Sequence, residues 1–168
     1  YLPEERGLYR KNKVLPTLLY FANLKNVEKP IAQERALQWL KKFDLLEYAD
    51  KKCEELSKGM QQKLQFISTI LHDPDLLILD EPFSGLDPVN QILLKDILAE
   101  PTRQGKTIIF STHQMEQVEK LCDNICLINH GKIVEKGVLR EIKKKYGKNS
   151  VHLEFDGDGS FLKSVPYA

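Results

Sequence analysis

The run Leu76-Leu77-Ile78-Leu79 ends directly in two adjacent carboxylates, Asp80 and Glu81, and then in Pro82. An uninterrupted apolar run of this length is expected of a strand buried on both faces of a parallel sheet. Two acids at the end of such a strand are costly to bury unless a cation or hydrogen bonds compensate them. The run therefore points to an α/β fold with a charged site at the end of a strand. A second β-rich apolar run, Lys106 to Phe110, is followed at once by Ser111-Thr112-His113, so a histidine stands at the end of the next strand after the carboxylate pair.

The segments around these strands read as helices. Leu15, Leu18, Leu19 and Ala22 recur at helical spacing over Val14 to Lys25, and Ala36, Leu37, Leu40 and Phe43 do so over Ile31 to Phe43. Pro30 suits the first turn of the second helix, and Trp39 is assigned to the shared core of the two. A third helix runs from Lys58 to about Leu71, with Leu64, Ile67, Ser68 and Leu71 on one face. Ser57 is a good N-cap, and Gly59 leaves the first-turn N–H groups uncovered, an arrangement that attracts phosphate oxygens. Asp87-Pro88 opens a helix over Val89 to Glu100, and Ser111 with Gln114 fits a capping box for Gln114 to Leu121. Asn124 to Asn129 and Lys132 to Lys136 form short strands joined by His130-Gly131, and Val138 to Tyr146 is helical. Val151, Leu153 and Phe155 alternate as in a strand before a turn over Asp156 to Gly159, which does not follow the calcium-loop pattern.

Composition narrows the function classes. At 168 residues with a net charge of +1, the chain has no broad electrostatic attraction for nucleic acid or anionic lipid, so phosphate binding must be local. No apolar run approaches the roughly 20 residues that cross a bilayer. Cys53, Cys122 and Cys126 fit neither a disulfide framework nor a zinc site and read as buried small hydrophobes. His72, His130 and His152 read as surface residues, and Lys143 to Lys145 as a solvated helix end.

Leu56-Ser57-Lys58-Gly59-Met60, Leu76 to Pro82, Ser84-Gly85-Leu86-Asp87-Pro88 and Ser111-Thr112-His113 together resemble the nucleotide-binding domain of ATP-binding cassette (ABC) proteins, from Tyr1 to about Lys145. The resemblance implies part of a P-loop NTPase (RecA-like) core with a parallel sheet, joined to a helical subdomain. The expected division is 1–72 as the helical subdomain with the glutamine loop and signature, 73–146 as the C-terminal part of the catalytic core, and 147–168 as the opening of an extension. It implies ATP and Mg2+ as ligands. Asp80 would hold the hydrated magnesium ion, and Glu81 would orient or deprotonate the attacking water. His113 would contact the γ-phosphate. Ser57, Lys58, Gly59 and Met60 form the signature that meets nucleotide, with Met60 where glutamine is usual. Asp87 would lie across a dimer interface, and Glu4 stands where the family has the glutamine that senses metal and γ-phosphate.

No G-x-x-x-x-G-K-[ST] loop occurs in these 168 residues, so the chain alone is expected not to hydrolyse ATP. It begins at Tyr1 and reads as the C-terminal part of something longer. In the family the strand carrying that loop lies between the His113 strand and the strand near Ile125 to Ile128, so two unpaired strand edges are expected. The leading reading is the ATP-binding subunit of a bacterial exporter of the sodium, drug or peptide type. Its expected partners are a second ATP-binding domain and transmembrane permease subunits, with no nucleic acid, at the cytoplasmic face of the membrane. The alternatives are a soluble non-transport ABC ATPase and a non-catalytic module that supplies a signature face to another cassette.

Overall fold

The computed structural model describes residues 1–4 and 7–147, so the strand and turn expected beyond Val151 lie outside the described residues. The described chain divides into two units, one through Gln117 and one from Val118.

In the first unit, α1 (Val14–Asn23) buries Val14, Thr17, Leu18 and Ala22, a stripe one step round from the one expected, with Leu15 and Leu19 half-buried. The chain turns after α1 through Asn26 at φ 58°, where Val27 N–H reaches back to Ala22 O at 3.1 Å. α2 (Lys29–Lys42) starts with Pro30 in its first turn and buries Ala32, Ala36 and Leu40, every fourth residue. It ends on Asp44 at φ 56°, with Leu45 N–H bonded to Leu40 O at 2.8 Å, a left-handed closure of the helix end. Trp39 is half-buried instead of central, with the Lys42 ammonium 5.0 Å from its ring centroid. Phe43 takes the core position beside it and is 2% exposed. Phe43 packs there against Phe66, also 2% exposed, with ring centroids 5.8 Å apart.

Two single-turn 3-10 helices, Leu46–Tyr48 and Cys53–Glu55, lead to α3 (Lys58–Ile70). Arg10 to Val14 is stitched to Lys51 to Glu54 by Val14 N–H to Lys51 O, Cys53 N–H to Asn12 O and Glu54 N–H to Arg10 O, each at 2.9 Å. α3 buries Leu64, Phe66, Ile67 and Ile70 together with Gln62, Gln65 and Thr69, so it is the central helix of the unit. Thr69 hydroxyl satisfies itself on Gln65 O at 3.0 Å, which lets a polar residue sit inside.

β1 (Leu76–Asp80) and β2 (Thr107–Ser111) pair in parallel, and α4 (Pro88–Arg103) is the crossover between them. β1 is buried on one face only: Leu77 and Leu79 are 2% and 0% exposed, while Leu76 and Ile78 are 48% and 41% exposed. The expectation of burial on both faces is therefore corrected, because the described residues cover the sheet on one side. The Lys42–Glu100 ion pair at 2.6 Å ties α2 to α4. α5 (Met115–Leu121) begins at the end of this unit.

In the second unit, β3 (Asn124–Asn129) and β4 (Lys132–Val138) form an antiparallel hairpin. His130 and Gly131 both have positive φ, 47° and 73°, as a two-residue primed turn requires. α6 (Leu139–Tyr146) follows, and Lys145 and Tyr146 hydroxyl both bond Glu135. Two lysines of the basic helix end are thus paired within the unit, Lys145 to Glu135 and Lys143 to Glu119 at 3.3 Å. Among the described residues the strands form two separate two-stranded sheets, and no ladder joins β2 to β3. Of the cysteines only Cys53 is buried, Cys122 is intermediate and Cys126 is exposed, which corrects the reading of all three as core residues.

Candidate active site

Parallel register assembles the site. Leu76 lies opposite Thr107 and Asp80 opposite Ser111, so both strands end at one level and the residues that follow emerge together. Leu2 adds a parallel bridge beside Leu79, which sends Glu4 out at the same end. The crevice beyond the carboxyl ends of parallel strands is where α/β sheets hold ligands.

Asp80 closes β1 half-exposed, and the Ser111 hydroxyl donates to its Oδ1. Tyr1 hydroxyl stands 3.5 Å from Oδ2, at the outer limit of a hydrogen bond. Glu81 has φ 44°, a left-handed conformation that costs a side-chain-bearing residue on the order of 1 kcal/mol. Surrounding bonds hold it there. Its N–H donates to Ser111 O at 3.2 Å and lies 3.3 Å from Ser111 Oγ, and its own carbonyl accepts from Ser84 N–H at 3.0 Å. Phe83 is fully buried and meets Phe110 edge-on with ring centroids 6.0 Å apart, which pins the turn after Glu81 to β2.

The Glu81 carboxylate faces His113. Oε1 accepts from His113 N–H at 3.0 Å and lies 2.7 Å from Nδ1, and Oε2 accepts from Thr112 hydroxyl at 3.2 Å. A carboxylate only accepts, so the imidazole carries its proton on Nδ1 in this contact and turns Nε2 outward. The two side chains differ in access, His113 being 80% exposed and Glu81 16%. The arrangement sets a largely covered carboxylate beside an exposed ring: the carboxylate can take a proton from water, and the outward Nε2 donates to an anion only when it carries a proton as well as Nδ1.

Ser57 caps α3 as expected, accepting from Met60 N–H at 3.3 Å. Ser57 and Lys58 are exposed, Gly59 and Met60 half-buried, and a Cβ built on Gly59 would meet nothing within 4 Å. The helix start is open to solvent. Gln61 secures it from behind through Nε2 bonds to Cys53 O at 3.1 Å and Leu56 O at 3.0 Å. Gln65 Nε2 donates to Pro3 O at 3.1 Å and so fastens α3 to the segment that leads to Glu4. Among the described residues no hydrogen bond or ion pair joins Ser57 to Met60 with Asp80, Glu81 or His113. The strand-end residues are bonded to one another, and the signature residues are not bonded to them. Glu4 is exposed in a bend. Asp87 is fully exposed and caps α4, where the N–H and then the side-chain amide of Asn90 hold its carboxyl below the usual range.

Ser111 corrects the capping-box reading. Its hydroxyl is spent on Asp80, and it is Thr112 whose Oγ1 accepts from Gln114 N–H at 3.1 Å. Sequence reasoning missed Ser111, Thr112, Gln61 and Gln65 as site-building residues. The one signal available was two hydroxyls standing immediately before His113.

Among the described residues, no group of three or more His, Cys, Asp and Glu side chains stands ready to hold a metal ion. Magnesium does not require one, since it binds through one or two carboxylates, water and substrate phosphates. Asp80, a half-exposed hard oxygen donor steadied by a hydroxyl, fits that pattern.

Residues 2–84 match the family model described as ABC transporter, and residues 52–119 match one described as AAA domain, putative AbiEii toxin, Type IV TA system. The ABC transporter ATP-binding protein YhaQ of Bacillus subtilis is 54% identical over 98% of this chain, which covers 55% of that protein. The fluoroquinolones export ATP-binding protein of Mycobacterium tuberculosis is 37% identical over 78% of this chain and 44% of its own length. The chain thus spans about half the length of the curated relatives it matches. A solved structure titled as the ATP binding subunit of an ABC transporter superposes with a TM-score of 0.81 at 31% identity, over 88% of this chain and 61% of the other. With its strand-end carboxylates, its capped signature helix and this likeness in sequence and fold, the chain belongs to the ATP-binding domain family of ABC transporters.

Proposed function

We propose that these residues serve an ATPase that drives transport across a membrane, in the export direction. The observation that carries this reading is the cluster at the ends of β1 and β2, where Glu81 is gripped by His113 and Asp80 by Ser111. Asp80 would hold a magnesium ion, whose chemistry there would be to offset charge on the phosphate oxygens. Glu81 accepts a proton from the water whose oxygen bonds to the γ-phosphorus as the bond to the β,γ-bridging oxygen breaks. His113, exposed beside it, would meet the γ-phosphate by donating from its outward Nε2–H, the ring then carrying a proton on both nitrogens. The start of α3 at Ser57 to Met60 is open to solvent, which suits a second ATP-binding domain presenting its nucleotide to this signature. Asp87 and Glu4 face the partner domain and the permease side respectively.

Among the described residues no helix is long and apolar enough to cross a membrane, so coupling is assigned to permease subunits on the cytoplasmic face. Export is supported by the name of the fluoroquinolone relative. The 168-residue chain by itself does not turn over ATP, and magnesium-dependent hydrolysis by the purified chain would overturn that statement. In the full polypeptide as the cell makes it, Glu81→Gln lowers ATP turnover by about 10²–10⁴-fold while nucleotide binding persists. Turnover that survives Glu81→Gln would remove Glu81 from its assigned role.

A further inference from the structure

Three donors hold the Glu81 carboxylate, and one of them has no part in the reading above. His113 supplies two to Oε1, its N–H and Nδ1, and Thr112 hydroxyl supplies the third to Oε2 at 3.2 Å. A threonine hydroxyl has a single proton and rotates to suit its neighbours, so its bond is directional only when its oxygen is also engaged. Here it is engaged: Thr112 Oγ1 accepts from Gln114 N–H at 3.1 Å, at the mouth of α5. The amide fixes the oxygen from one side, and the hydroxyl proton is left aimed at Glu81.

We propose that Thr112 is a positioning residue for Glu81, its hydroxyl setting the rotation of the carboxylate from which the attacking water is deprotonated. The proposal rests on the assignment of Glu81 as that base. The physical need is plain from the torsions. The terminal torsion of a glutamate is broad, so two donors on Oε1 leave Oε2 free to swing out of the plane that faces the water. Glu81 also starts from a left-handed backbone, so the usual rotamer preferences do not aim it. Thr112 takes one lone pair of Oε2 and leaves the other to accept from water. Displacements of about 1 Å in such groups cost on the order of 10²-fold in rate. Thr112 itself neither gains nor loses a proton over the reaction.

The test compares Thr112→Val, which keeps the shape and removes the hydroxyl, with Thr112→Ser, which keeps the hydroxyl, both in the full polypeptide as the cell makes it. Thr112→Val is expected to lower kcat for ATP by about 10–100-fold with KM within about 2-fold of wild type. Thr112→Ser is expected to recover most of the loss. An unchanged kcat in Thr112→Val, a rise in KM alone, or equal losses in the valine and serine variants would overturn the proposal. If Thr112→Val does not fold, Thr112→Ala is judged on the same criteria. Glu81→Gln runs alongside. Turnover that survives it defeats the base assignment and this proposal with it, whereas turnover lost in Glu81→Gln but intact in Thr112→Val defeats the role of Thr112 alone.

Discussion

The unit through Gln117 and the unit from Val118 are held together by different means. Every side chain recorded as buried among the described residues, from Leu2 to Gln117, belongs to the first. The described residues of the second have none. Its strands expose Ile128, Ile133 and Val134 by 58% or more, and its shape rests on the β3–β4 ladder and on Lys143 and Lys145 pairing with Glu119 and Glu135. A lone two-stranded hairpin is marginal in water, and exposed ion pairs add little to it. The strand-end site lies wholly in the unit that has a core. A carboxylate aimed by three hydrogen bonds needs neighbours that do not move, and only packed elements supply them.

The sharpest way to break this comparison is a matched pair of truncations in the 168-residue chain. Leu64 on α3 is fully buried, so Leu64→Ala should cost about 2–5 kcal/mol through lost transfer energy and a residual cavity. Ile133 on β4 is 58% exposed, and Ile133→Ala should stay within about 0.5 kcal/mol. Urea unfolding of both variants reads the contrast directly. Similar losses at the two positions would mean that the second unit has a core of its own.

Much of this was legible before any coordinates. Ser57 and Asp87 announce their helices because a capping oxygen is a local device that works through residues three positions on. The strand ends were legible because an apolar run has few other ways to finish in Asp-Glu. Three things were not. The open face of β1 could not be read from Leu76 to Leu79, since an apolar run has the same letters whether one face or both are covered. Trp39 and Phe43 lie side by side near the same edge of the core, and composition does not say which ring is buried. The division of labour between Ser111 and Thr112 depends on the β1–β2 register, which brings Asp80 across from Ser111 and is set by tertiary pairing rather than by neighbours in sequence. The capping rule was sound and was applied to the wrong hydroxyl.

A smaller effect separates the structural duty of Ser57 from its proposed meeting with nucleotide. Its hydroxyl oxygen satisfies Met60 N–H whether or not a phosphate is present. Ser57→Ala should therefore cost about 1 kcal/mol of stability in the 168-residue chain with no nucleotide added. Because α3 is the central helix of the first unit, the loss should appear in the same transition that Leu64→Ala lowers. A Ser57→Ala chain as stable as wild type would show that the cap is idle and that the serine is kept for contact with a ligand.

The smallest effect probes the rim of the first unit, where the turn after α3 meets the entry to β2. Burial, then the charge of Lys25, pushes the His72 imidazole below its ordinary value of 6.5, with Lys106 adding to this and Asp73 opposing it. A histidine that resists protonation in the folded chain binds fewer protons there than in the unfolded chain, so stability rises with pH across that window. At pH 8 the group is neutral in both states and contributes nothing. As pH falls through 6.5 the unfolded chain takes up the proton first, and stability is lost until the folded imidazole also titrates. Asp73 acts in a separate window. Lys106 holds its carboxyl below the usual value, so its contribution is present above the ordinary carboxylate range and lost only as pH falls through it. His72→Gln should accordingly flatten the urea midpoint between pH 8 and the carboxylate range while leaving the steeper acid limb in place. Parallel midpoint profiles for wild type and variant would mean that the rim opens before the core and exposes His72 to water ahead of unfolding, which would divide the first unit further.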